Sequence, residues 1–310
     1  MNWLDAAFLG TILAGAIRLG TPIALAAIGE TVVEISGTIN IGIDGIMTIG
    51  AFAPILVESV GAGWGLGLLS SALIGMTLGL AIALGVLRGG ANQIIIGIAA
   101  SLIGSGVAVY SYQLWDGSGL QSQALPLVPT VVLPLVRDIP VVGRALSGQS
   151  ALTYATIVLI VFLLFVLKRT KAGLLLKAVG DQPEIAAARG INVVMIRTLA
   201  LMFGGAMAGL GGAAITAGYL GTYTDGVTAG RGYVALAIVI IGRWSPIGAA
   251  AGALLFAFFD SLALSAQNGV GIVPVEAYMA LPYIVTLLVL VFTARGSVAP
   301  RALGLPYKAD

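Results

Sequence analysis

Ten polar or ionisable side chains sit in or beside long apolar stretches: Arg18, Glu30, Glu34, Asn40, Asp44, Asn92, Gln93, Arg231, Asp260 and Glu276. Carboxylates, amides and guanidinium groups in such places can hold a polar solute by hydrogen bonds and charge. Each charge at bilayer depth costs ~2.5–3.5 kcal/mol on insertion scales, so each must face protein, water or a partner. Two roles are open. The set can line a path for a polar solute. It can equally be structural: Glu30 and Glu34, one helical turn apart, binding Gly-rich loop amides or pairing with Arg18, Asn92 and Gln93 capping the start of a span, and Asp260 lying near the outer end of its span. Aromatic rings add one more option. Phe52, Trp64, Tyr219, Tyr223, Tyr233 and Trp244 suit membrane–water interfaces, and Tyr219 and Tyr233 could also stack on a base or sugar face.

Catalysis is not what these residue types suggest. The chain has no His and no Cys. That removes a Ser/His/Asp grouping, thiol and disulfide chemistry and the favoured ligands of zinc and copper, so we expect neither catalytic residues nor a metal site. There is no G-x-x-x-x-G-K-[ST] run, and the G-x-G-x-x-G-like runs fall inside apolar segments. If ATP powers this protein, another chain hydrolyses it.

The elements that must carry these groups are helices in lipid. Of 310 residues, 59% are hydrophobic and 9% charged, against about 25% charged in a soluble domain. Alternating stretches of about 20 apolar residues read as a polytopic helical bundle, and the dyad alternation of a barrel is absent. Apolar segments fall at roughly 7–28, 46–57, 65–87, 91–112, 151–167, 197–219, 233–242, 246–266 and 277–293, nine crossings in all. The first ten residues, MNWLDAAFLG, show no basic leader or small-residue cleavage site, so no cleaved signal is expected.

Orientation follows from one basic island, TKAGLLLKAVGDQPEIAAARGINVVMIR at 170–197. Basic residues beside spans stay in the cytoplasm, and Arg295, Arg301 and Lys308 place the tail on the same side. Working back from the island puts residues 113–150 outside as a lid-like loop with Pro126, Pro129, Pro134 and Pro140. The N-terminus is then outside too. Within the island, Asp181–Gly190 reads as one short helix with acidic and Pro-led start, basic end and Gly stop. It is either a docking element for a cytoplasmic partner or an ordinary loop.

Lengths suggest a repeat. Segments one to four run long, short, long, long, and the last four repeat that order from the opposite side of the membrane. The expected division is therefore a first half (1–112), the outer loop (113–150), a linking span (151–167), the cytoplasmic loop (168–197), an inverted second half (197–293) and a cytoplasmic tail (294–310). Each short segment follows a Gly-rich polar run, 37–45 and 221–232. Ten or twelve helical residues reach ~15–18 Å against a ~30 Å hydrocarbon core. Their backbone must be broken or re-entrant, which is tolerated only under cover of protein or a water-filled cavity. Matched short segments in inverted halves point to a transport path.

Three segments carry a family resemblance. Gly29-Glu30 through Asn40-Ile-Gly-Ile-Asp44-Gly-Ile-Met47 is similar to G-E-x-x-x-E-R-x-G-x-x-N-[LI]-G-x-E-G-x-M, with Ile35 where Arg is frequent and Asp44 where Glu is usual. Gly173-Leu through Ala178-Val-Gly180-Asp-Gln-Pro183 and Ala187-Ala-Arg-Gly190-Ile-Asn192 is similar to a cytoplasmic coupling loop. The third is Thr228-Ala-Gly230-Arg231-Gly232-Tyr through Ile241-Gly242-Arg243-Trp244-Ser-Pro246. Together they resemble the permease subunits of bacterial ABC importers of the branched-chain amino acid/simple sugar permease family, nucleoside-type branch. The resemblance implies an all-α, cobalamin-importer-like (type II) permease fold in the bacterial inner membrane. It implies ATPase coupling through Asp181, Gln182, Pro183, Glu184, Ala187, Arg189 and Gly190. It also implies two ABC ATPase subunits holding ATP and Mg, a second permease subunit and an extracytoplasmic solute-binding protein. Asn40, Asp44, Asn92, Gln93, Tyr219, Arg231 and Tyr233 are the candidates for lining the substrate path. Nucleosides are the expected cargo, with simple sugars such as ribose as the alternative. An ion-gradient-driven secondary transporter is a further option from another class. No cofactor is expected on this chain and no nucleic acid as a partner.

Overall fold

The computed structural model describes residues 6–116, 126–134, 139, 141–266, 275–294 and 299–307. Every predicted apolar segment coincides with a helix. In chain order these are α1 (Ala6–Ile35), α2 (Ile43–Glu58), α3 (Gly63–Ala83, closed by a π-helical turn at Leu84–Arg88) and α4 (Gln93–Asp116). After α5 (Val142–Leu146) come α6 (Ala151–Arg169), α7 (Lys171–Asp181), α8 (Pro183–Ala188), α9 (Val193–Ile215, ending in a π-helical turn at Thr216–Leu220), α10 (Arg231–Ile241), α11 (Pro246–Ser265) and α12 (Val275–Ala294). Among the described residues six helices are long and apolar enough to cross a membrane: Phe8–Ile35, Gly63–Arg88, Gln93–Leu114, Ala151–Arg169, Val193–Leu220 and Pro246–Ser265. Arg231–Ile241 and Glu276–Phe292 are shorter apolar helices.

Local chemistry explains the boundaries. Asn192 caps α9 by accepting from the Met195 N–H at 2.9 Å, and Ser150 caps α6 through the Thr153 N–H at 3.3 Å. α1 continues well past residue 28, because nothing in Gly29–Ile35 breaks a helix. It stops at Ser36–Gly37, where Gly37 turns left-handed at φ 90°. Glu30 and Glu34 therefore lie on one face of a helix.

The island differs from its sequence reading. Asp181 ends α7 and does not begin the next helix. Pro183 disfavours helical backbone in the residue before it, and Gln182 sits at φ −145°, ψ 70°, so the chain bends there. Helix α8 is thus Pro183–Ala188, with Gly190 left-handed beyond it at φ 79°. Nor does α8 stand alone on the surface. Val179, Ala186 and Val193 form a small buried cluster against Ala187, Ile191, Ile196 and Tyr307. Arg197, expected among the surface cations, is fully buried.

The connection between α4 and α6 also has structure among its described residues. Strands β1 (Thr130–Val131) and β2 (Gln149–Ser150) pair antiparallel, with Thr130 opposite Ser150. The Gln149 side-chain amide donates to Ala14 O at 3.1 Å and Ala145 O at 2.8 Å, which ties this corner to α1. Arg137, Asp138 and Pro140, like Arg295 and Lys308 of the tail, lie outside the described residues.

Helices α1 and α9 form the centre. α1 packs on α9, α11 and α10, and α9 on α3, α1 and α2. Ile23, Ile28, Ile43, Met47, Leu201, Ile215 and Ile238 fill the space between them. Outward faces carry large apolar side chains, including Leu102 on α4, Val158 on α6 and Leu287 on α12. Lipid or a partner chain, not water, suits such faces.

The α3–α9 contact is backbone on backbone. A Cβ on Gly75 would run into the carbonyl oxygen of Gly205, and one on Gly205 into that of Gly75. Small residues let helices approach this closely in lipid. Gly75→Val is therefore expected to force the pair apart and destabilise the fold by ~1–3 kcal/mol, read as a lower melting temperature in detergent.

Candidate functional site

Two short helices bring the polar groups together. Asp44 stands in the first turn of α2, and its Oδ1 accepts the backbone N–H of Gly232 at 3.0 Å, in the first turn of α10. The N-termini of α2 and α10 thus face one carboxylate. Helix N-termini carry partial positive charge, and a carboxylate there is stabilising for both. Only glycine fits at 232: a Cβ would lie 2.5 Å from Asp44 Cα. Beside it Arg231 Nη2 donates to Asp260 Oδ2 at 3.0 Å, with side chains 18% and 24% exposed. Asp44 and Arg231 are therefore brought to one focus through Gly232, with Asp260 as the partner the sequence reading left at its span end. Tyr219 lies in the π-helical turn that ends α9.

From that focus, residues 221–232 run antiparallel to α2. Gly232 meets Asp44, Thr228 Oγ1 meets Thr48 Oγ1 at 3.2 Å, and the Tyr223 ring meets Phe52 at 5.4 Å between centroids. Asp44, Thr48 and Phe52 are spaced four apart and share one helix face. This non-helical run continuing into α10 is the broken backbone that the segment's shortness demanded. Thr48 and Thr228 were not picked out from sequence, although the i, i+4, i+8 spacing was available to find them.

A second cluster lies at the other end of α1. Glu30, fully buried, accepts the Asn40 N–H at 2.9 Å and so holds the Gly-rich loop. Glu30 Oε2 and both side-chain polar atoms of Asn40 have no hydrogen-bond partner. Glu34 Oε2 accepts from Trp244 Nε1 at 2.6 Å, so Trp244 is anchored by a carboxylate. The alternative pairing with Arg18 does not occur: Arg18 is exposed on α1, and the ion pair among the described residues is Arg231–Asp260. Gln93 accepts from Ile39 N at 3.0 Å and donates to Leu305 O at 3.4 Å, tying this loop to the tail. Asn92 caps α4 through Ile94 N at 2.8 Å. Tyr233 is exposed and bonds Ser101, which packs on Gly45, at 2.8 Å.

The α7–α8 corner makes a separate surface. Asp181, Gln182, Glu184, Ile185, Arg189 and Gly190 are exposed there, and Pro183 and Ala187 half-buried. A cleft of about 670 Å³ separates this corner from the tail, between Asp181, Glu184, Arg197, Arg301 and Tyr307. The tail is strapped across: Ala302 N donates to Gly180 O at 2.9 Å, Gly304 N to Gly37 O at 3.3 Å, and the Tyr307 ring lies 5.5 Å from the Arg197 guanidinium. Arg197 Nε donates to Ser36 O at 3.0 Å. The tail thus bonds both Gly180 of α7 and Gly37 of the first Gly-rich loop.

The permease component of branched-chain amino acid transport systems is the family whose sequence model matches residues 12–290. The chain belongs to this family of permeases. The nucleoside ABC transporter permease protein NupC of Lactococcus lactis is 32% identical, over 96% of this chain and 97% of the relative. The guanosine ABC transporter permease protein NupQ of Bacillus subtilis is 31% identical, over 96% and 97%. A putative glucose ABC transporter permease protein of Haloferax volcanii is 31% identical, over 84% and 79%. No solved structure matches. With its apolar helices, this permease is a multi-pass protein of the bacterial plasma membrane.

Proposed function

We propose that this permease is the membrane subunit of an ATP-driven ABC importer for nucleosides. The observation that carries the path is the meeting of two short helices, α2 and α10, N-terminus to N-terminus at Asp44. The cargo rests on likeness along nearly the whole chain to relatives named for nucleosides and guanosine. The relative named for glucose keeps a simple-sugar cargo as the second reading.

Nine crossings in two inverted halves, in a type II arrangement, are part of the proposal. Helix pairing supports it. α1 packs on α11 as α9 packs on α3, and α10 packs on α1 as α2 packs on α9. Those are the contacts an inverted repeat would duplicate. In this reading α8 faces the cytoplasm and residues 126–150 face outward.

The partners proposed are two ATPase subunits, a second permease and a solute-binding protein outside. ATP and Mg sit on the ATPases. The binding protein delivers solute to the outer end of the path, and nucleotide-driven closure of the ATPases moves α8. The halves then change which side the Asp44 focus opens to. Nucleotide must favour one conformation over the other for this to move cargo.

The test is uptake by the complete complex in proteoliposomes. ATP-dependent guanosine uptake that requires the binding protein is the expected result. Uptake of ribose but not guanosine selects the sugar reading, and uptake driven by an ion gradient without ATP overturns the ABC assignment.

A further inference from the structure

Three rings close the outer end of the α2 stripe. Tyr223 stands 5.4 Å from Phe52 and 5.0 Å from Tyr112, and Phe52 stands 6.4 Å from Tyr112, between centroids. They come from three elements: α2, α4 and the run 221–230. These are not the interfacial anchors expected of Phe52 and Tyr223, because those two are 2% and 3% exposed. The Tyr223 hydroxyl is buried without a hydrogen-bond partner. An unpaired buried hydroxyl costs stability, so a purely structural cluster would gain by having Phe there.

The run that carries Tyr223 is held at both ends and bent between. Gly221, Gly226, Ala229 and Gly230 all have positive φ, of 72°, 72°, 46° and 75°. Left-handed backbone at a non-glycine such as Ala229 is strained. Thr222, Thr224, Asp225 and Gly226 are exposed, while Tyr223 alone of this stretch plunges inward. Below the rings, the paired hydroxyls of Thr48 and Thr228 come one turn later, and the Asp44 carboxylate one turn after that.

We propose that Phe52, Tyr112 and Tyr223 are both the outer gate of the path and the surface on which a nucleobase stacks. The structure has them in the closed form, ring against ring. Withdrawal of residues 221–230 would open a slot with an aromatic wall on α2 and α4. The base stacks on that wall, the Tyr223 hydroxyl serves a ring nitrogen or exocyclic group, and the ribose hydroxyls meet Thr48, Thr228 and Asp44. The order along α2, aromatic then hydroxyl then carboxylate, at ~6 Å per turn, matches the order of groups along a nucleoside. This rests on the nucleoside reading above.

The test uses the complete transporter in proteoliposomes, with guanosine as the probe. Stacking losses predict that Phe52→Leu and Tyr223→Leu raise the guanosine KM by about 10-fold, with a smaller change in the saturated rate. Tyr223→Phe keeps the ring and loses the hydroxyl, and raises KM by about 3-fold. Gating is read separately. The chain has no cysteine, so Phe52→Cys/Tyr223→Cys can be bridged without background by a short bis-methanethiosulfonate reagent, which spans more than a direct disulfide would. At saturating guanosine the bridge should stop the uptake that the reduced double variant retains, and a reductant should return uptake to that reduced level. The proposal is overturned if wild type imports guanosine while both leucine variants keep KM within about twofold, or if the cross-linked protein transports as well as the reduced one. If wild type imports no guanosine, the nucleoside reading itself fails, and the stacking role with it.

Discussion

Replacing Arg231 with leucine is expected to cut uptake about 100-fold and to destabilise the permease by ~3 kcal/mol. The guanidinium is the partner of Asp260 at 3.0 Å, with both side chains mostly shielded. Without it a carboxylate is left facing apolar surroundings. Removing one member of a shielded pair costs far more than removing both, because the surviving charge has nothing to offset its lost hydration. Arg231→Leu/Asp260→Leu should therefore recover the melting temperature and the yield of assembled complex. It should not recover uptake, since Arg231 also adjoins Gly232 and Asp44 at the centre of the proposed path. Recovery of both would make the pair a structural brace and remove Arg231 from the path. Melting curves in detergent and guanosine uptake in proteoliposomes read the two effects apart.

Charge reversal at the α8 corner should separate ATP hydrolysis from transport. Glu184 and Arg189 are exposed, so Glu184→Lys and Arg189→Glu should leave folding within ~0.5 kcal/mol. Their cost falls on docking. Like charges facing a complementary partner surface cost several kcal/mol, enough to lower uptake at least about 10-fold. The check is the ATP hydrolysed per guanosine imported by the assembled complex. A rise in that ratio is expected, and normal transport by both variants would remove α8 from the ATPase contact.

Much of this was readable in one dimension because lipid simplifies the problem. A chain with so few charges and apolar stretches of this length has to fold as helices, and each predicted stretch became one. The shortness of 233–242 was enough to require broken backbone near it. What failed were local statements that depended on a neighbour. Asp181 looked like a helix start, yet Pro183 acts on the residue before it and makes Asp181 an end. Arg197 looked like one more surface cation, yet the tail crosses the sequence by about a hundred residues to cover it with Tyr307. Asp260 was singled out but left at the outer end of its span, because its partner is 29 positions away.

By itself, then, the sequence determined the solvent, the helical class, the family and the two Gly-rich polar runs. Those follow from composition, length and short motifs, each a property of contiguous residues. Tertiary structure alone decided that Asp44 lies against Gly232, that Glu34 anchors Trp244, and that Phe52, Tyr112 and Tyr223 close on one another. Those contacts join groups from 60 to 210 positions apart. They exist only because the glycine faces of α3 and α9 and the α1–α9 packing bring distant helices within hydrogen-bonding and ring-contact distance.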